Sequence, residues 1–119
     1  MTSKSLTVES ITIDCTDPDR LAAWWGQAVG GTVNPVVPGE FVLVAQEGAP
    51  NLAFQHVEAP TPGKNRVHLD FSAPDMEQEV ARLVSLGAAE KDRQSFGADF
   101  SWVVLADPDG NLFCIAQGQ

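Results

Sequence analysis

Apolar and polar positions alternate from Leu6 to Asp14, with Leu6, Val8, Ile11 and Ile13 apolar and β-branched residues frequent. A period of two predicts a strand. The phase slips between Val8 and Ile11, which marks either a bulge or the strand's true start. The period then changes. Asp17 suits a helix N-cap and Pro18 the first helical position. Leu21, Ala22, Trp24, Trp25, Ala28 and Val29 follow at helical spacing, and Gly30-Gly31 stops the run.

Three further strands are expected at Thr32–Val37, Phe41–Gln46 and Asn51–Glu58, separated by Pro38-Gly39 and Gly48-Ala-Pro50. Proline fixes φ and glycine frees it, so these pairs read as turns. After Pro60-Thr-Pro-Gly63 the order starts again. Arg66–Ser72 alternates as a strand, and Pro74-Asp75 leads into a helix with Met76, Val80, Leu83, Val84 and Leu86, closed by Gly87. Strands are then expected at Ala89–Gln94, Ser101–Ala106 and Asn111–Gln117. The last two are joined by Asp107-Pro-Asp-Gly110, whose Asp-Gly step favours a tight hairpin.

The predicted fold is therefore α+β, two βαβββ modules at about 6–58 and 66–117 within one domain. Ile13–Asp19 lies over Leu69–Asp75 at an offset of 56, with identities at Asp14/Asp70, Pro18/Pro74 and Asp19/Asp75. Matching element order and matching residues together indicate an internal repeat. Each half is small enough to be marginal alone, so the halves are expected to share a core. Two curved sheets covered outside by their helices would leave a cleft lined by alternate strand residues.

Composition narrows the functions. In 119 residues, sixteen acids oppose seven bases, for a formal charge of −9. The bases are scattered, which argues against nucleic acid and anionic membrane as partners. No apolar run approaches the roughly 20 residues that cross a bilayer. The start, Met1-Thr-Ser-Lys-Ser-Leu6, has no secretory apolar stretch, so the expected compartment is the cytoplasm. Cys15 and Cys114 belong to no CxxC and read as thiols rather than a disulfide. No nucleotide-binding glycine motif or nucleophile elbow occurs.

Several stretches carry a family resemblance: Asp14-Cys15-Thr-Asp17-Pro18 leading to Leu21-Ala-Ala-Trp-Trp25 and Gly30, Arg66-Val-His-Leu-Asp70, and Trp102–Asn111 running into Phe113-Cys114. With the paired βαβββ order, they resemble the vicinal oxygen chelate superfamily of glyoxalases, extradiol dioxygenases and bleomycin-resistance proteins. The short glyoxalase-like domain proteins are the most similar. The resemblance implies a divalent metal held by His and Glu on the concave sheet faces. Carried over, the second-module histidine is His68. The first-strand histidine falls on Ser10, or on Thr12 at the offset of 56. The first carboxylate falls on Gln55 and the last on Cys114.

A catalytic metal of this kind needs about three protein ligands. Losing both carboxylates removes donors and neutralising charge together. His68, Gln55 and Cys114 would suit only a softer ion, and His56 should face the other side of its strand. No cofactor is therefore expected. His68 reads either as a buried histidine bonded to Asp14, Asp70 or Gln55, or as a residue touching a ligand. Arg66 and Asp70 share its face. Cys114 reads as an inert thiol or a ligand contact, Trp102 and Phe100 as rim aromatics.

Two functions follow. One is a binding module for a small, cationic or aromatic molecule contacting Gln55, His68, Asp70, Trp102 and Cys114. The other is a lyase, isomerase or dioxygenase of the glyoxalase type using His68 as its catalytic group. A homodimer is also expected, because Leu21, Trp24, Trp25 and Ala28 form an apolar arc wide for a domain of this size.

Overall fold

In the computed structural model, residues 8–63, 68–96 and 100–118 are described, with backbone alone at Phe96 and Phe100. The first strand, β1, is Ser10–Cys15, so the slipped phase before Ile11 marks the true start of the strand. Helix α1 spans Pro18–Val29. The Asp17 carboxylate accepts from the Arg20 N–H at 3.3 Å, Pro18 lies in the first turn, and Gly30 closes the helix in the left-handed conformation. Strands β2 (Thr32–Val37), β3 (Phe41–Ala45) and β4 (Asn51–His56) complete the first set.

The same order recurs as β5 (Leu69–Ala73), α2 (Met76–Ser85), β6 (Ala89–Phe96), β7 (Phe100–Ala106) and β8 (Leu112–Gln117). Asp75 caps α2 by accepting from the Gln78 N–H at 3.1 Å. Strand β5 begins at Leu69, just after His68, and the expected start at Arg66 lies outside the described residues. The chain divides into two compact units, Met1–Pro60 and Thr61–Gln119.

Each unit holds one four-stranded sheet, ordered β1-β4-β3-β2 in the first and β5-β8-β7-β6 in the second. The first and fourth strands of each set pair in parallel and the remaining neighbours antiparallel. The fold is thus α+β with a duplicated βαβββ unit, as the pattern predicts. In the first unit Val42, Val44, Leu52 and Phe54 are buried on the α1 side with Leu21, Ala22 and Trp25. In the second, Val103, Leu105, Phe113 and Ile115 are buried on the α2 side with Met76, Val80 and Leu83. Trp25 is only 1% exposed, so the apolar arc of α1 is largely satisfied within its own unit.

Hydrogen bonding corrects the internal register. The Val57 N–H donates to the Cys15 carbonyl, and the Gly118 N–H donates to the Ala73 carbonyl. Cys15 and Ala73 end equivalent strands 58 positions apart, and the helix caps Asp17 and Asp75 keep the same spacing. The offset of 56 is therefore two residues short. It matched prolines with different roles: Pro18 lies inside α1, whereas Pro74 precedes the cap of α2. The fourth strands correspond at 61 positions, His56 with Gln117 and Leu52 with Phe113.

The β7–β8 connection also differs from a two-residue hairpin. It runs from Asp107 to Asn111, and Gly110 has φ 89°. The Asp107 carboxylate, 4% exposed, accepts from the main-chain N–H groups of Asp109 and Asn111 and from the Asn111 side chain, all at 2.8–2.9 Å. An aspartate that satisfies its own turn holds the loop open at this longer length.

Candidate functional site

Strand alternation gives each sheet two faces: one carries the buried side chains beside the helix, the other is free of helix. In the first unit Ser10 pairs with Asn51, Thr12 with Ala53 and Asp14 with Gln55, and all six occupy the helix-free face. Leu43 and Phe41 continue the last two rows, opposite Ala53 and Gln55. Ser10, Thr12, Asp14 and Gln55 are exposed. His56 pairs with Cys15 and takes the helix side, as alternation requires. The Cys15 thiol is buried and directed at the Gln55 carbonyl, 3.8 Å away.

In the second unit the helix-free face holds Asp70, Cys114, Val104 and Asp92 in one row, and Ser72, Ala116, Trp102 and Gln94 in the next. Neighbouring strands lie about 4.8 Å apart, so Asp70 and Cys114 are adjacent and Trp102 is one row away. Asp70 is exposed, and Cys114 and Trp102 are partly buried. His68 stands one residue before β5, outside the ladder. It is exposed, so the buried-histidine reading does not hold. Phe100 pairs with Phe96 at the far end of β7.

The corrected register assigns His68 a first-unit counterpart, Ser10, and leaves Thr12 opposite Asp70 in the repeat. It also separates two residues that the sequence reading treated alike. The counterpart of Cys114 is Ala53, and that of Gln55 is Ala116. Only pairing between distant strands reveals this, because local spacing carries no information about which rows face each other.

A sequence profile of the glyoxalase-like domain matches residues 10–116. The chain belongs to the glyoxalase-like domain family. Solved structures with the same fold include a glyoxalase/bleomycin resistance protein/dioxygenase family enzyme from Burkholderia phytofirmans PsJN, with a TM-score of 0.80 and 19% identity over 94% of this chain and 98% of that one. A lactoylglutathione lyase from Agrobacterium tumefaciens matches with a TM-score of 0.72 and 18% identity over 98% and 96% of the two chains. A superfamily member from Sphaerobacter thermophilus DSM 20745 matches at 0.71 and 21% over 95% and 98%. No curated protein sequence matches. At these identities the likeness shows the fold of this glyoxalase-like domain.

Family resemblance implies a divalent metal, and the residues present do not fit one. Ser10 and His68 occupy the histidine positions, and no carboxylate stands at Ala53, Gln55 or Cys114. Among the described residues no three His, Cys, Asp or Glu side chains come together as a metal site. A hydroxyl, an amide, one imidazole and a thiol are a poor donor set for a hard divalent ion. Among the described residues, no helix is long and apolar enough to cross a membrane.

Proposed function

We propose that this glyoxalase-like domain is a binding module that holds a small, partly aromatic molecule, cationic or neutral, without a catalytic metal. One observation carries the reading. The helix-free face of the second sheet sets the Asp70 carboxylate and the Cys114 thiol side by side, one row from the partly buried indole of Trp102. An aromatic wall with a few fixed polar groups is the usual composition of a small-molecule site.

The test is a ligand screen by melting temperature on metal-free protein, repeated with Trp102→Ala and His68→Ala. Shifts that vanish in Trp102→Ala support the module. A screen in which every shift requires added metal overturns it. A second reading is favoured by one observation, the exposure of His68 two residues from Asp70. There His68 serves as acid or base in a lyase, isomerase or dioxygenase reaction, a role in keeping with the enzyme names of some structural neighbours. Turnover abolished by His68→Ala but retained in Trp102→Ala would favour that reading.

The proposal places the protein in the cytoplasm as a homodimer of about 25 kDa, twice the 12.7 kDa chain. Two cysteines present as thiols suit a reducing compartment. Val36 and Val37, each 50% exposed on the uncharged edge strand β2, offer a contact where two acidic copies repel least.

A further inference from the structure

Asp14, Gln55 and Phe41 form one row across three adjacent strands of the first sheet, with Gln55 in register with both of the others. All three lie on the helix-free face, because their chain neighbours Ile13, Cys15, Phe54, His56 and Val42 take the side of α1. Asp14 and Gln55 are exposed and Phe41 is partly buried. Among the described residues, neither the Asp14 carboxylate nor the Gln55 amide has a side-chain partner. Arg20, on α1, is the one Lys or Arg among the described residues of the first unit, so no strand there supplies a cation to Asp14.

The repeat shows which part of this row is general and which is particular. Phe41 and Trp102 are counterparts, 61 positions apart, so both units place an aromatic ring at the same point of the helix-free face. Neither ring is needed for the helix-side core, which lies on the opposite face of each sheet. Asp14 and Gln55, by contrast, correspond to Ser72 and Ala116. The aromatic position recurs, and the acceptor pair beside it belongs to the first unit only.

Resting on the binding role proposed above, we infer that the Asp14–Gln55–Phe41 row recognises a planar nitrogen cation, such as an amidinium, a guanidinium or a protonated amino-heterocycle. An ionised carboxylate only accepts hydrogen bonds, and the neighbouring amide adds an acceptor oxygen about one strand spacing away. A ring face attracts positive charge through its quadrupole. A planar cation with N–H groups along one edge satisfies all three at once. A carboxylate ligand would meet repulsion at Asp14.

Three probes of nearly equal shape and different charge test this: benzamidine, benzamide and benzoate, titrated calorimetrically at 0.15 M salt. Wild-type protein is expected to bind benzamidine about tenfold more tightly than benzamide, with benzoate weakest. Asp14→Asn is expected to bring benzamidine and benzamide within about twofold of each other. Glu47→Gln makes the same change in net charge from the exposed β3–β4 turn and is expected to leave the preference intact. Phe41→Leu should weaken benzamidine more than benzamide. A preference unchanged in Asp14→Asn, one lost equally in Glu47→Gln, or no binding of any probe overturns the inference. The broader binding role is judged separately, by the ligand screen that depends on Trp102.

Discussion

Cys114 and Ala53 stand at the same place in two copies of one sheet, Cys114 in register with Asp70 and Ala53 in register with Thr12. The fold accepts a methyl group at this position in the first unit, where Ala53 is fully buried. Cys114→Ala is therefore expected to fold and to change stability by about 1 kcal/mol or less. Urea denaturation checks this. A loss of several kcal/mol would mean that the thiol is a structural part of the second unit rather than a group facing a ligand.

Asp107 carries a buried carboxylate in the second unit, and three N–H donors converge on it. Asp107→Ala leaves those donors without their acceptor in a half-buried loop. The expected loss is about 2–4 kcal/mol, read as a lower urea midpoint at an unchanged slope. An unchanged midpoint would show that water replaces the carboxylate at no cost.

Arg93 bridges Glu77 of α2, at 2.6 Å, and Glu90 of its own strand, at 2.8 Å. Hydrogen bonds from Arg93 hold both carboxyls below the usual glutamate range, and Arg82 does the same for Glu79. A carboxyl with a depressed folded-state pKa adds stability above its unfolded pKa and loses it as pH falls through the folded value. The stability difference between wild type and Arg93→Ala should therefore be present at neutral pH and shrink below about pH 4.5. It should also shrink in high salt, since these groups are exposed. A difference that grows on acidification contradicts the assignment.

Trp25 and Trp102 separate stability from binding. Trp25, 1% exposed, packs edge-on against Trp24 with ring centroids 5.0 Å apart. Trp25→Ala is expected to cost about 3–5 kcal/mol. Trp102 is partly exposed on the helix-free face, and its removal should cost less stability while abolishing ligand shifts. Thermal melts of both variants, with and without ligand, distinguish the two roles.

Most of the fold was legible because its signals are local. Asp17-Pro18 and Asp75 announce the helices they cap, and the Pro-Gly pairs delimit strands to within a residue or two. The limits appear where a decision depends on pairing. Identical residues suggested an offset of 56, but the Cys15 and Ala73 carbonyls are bonded at equivalent points 58 apart. That shift moves the counterpart of His68 from Thr12 to Ser10 and breaks the apparent likeness of Gln55 and Cys114. The row containing Asp14, Gln55 and Phe41 was invisible for the same reason. Its members lie on three strands, and only the ladder brings them together.

Metal content bears most directly on the metal-free binding role. Protein produced in medium supplied with zinc, iron, nickel and manganese, and purified without chelator, can be assayed by inductively coupled plasma mass spectrometry. With no carboxylate at Ala53, Gln55 or Cys114, the predicted content is below about a tenth of an equivalent per chain. One tightly held divalent ion per chain, lost in His68→Ala, would contradict it.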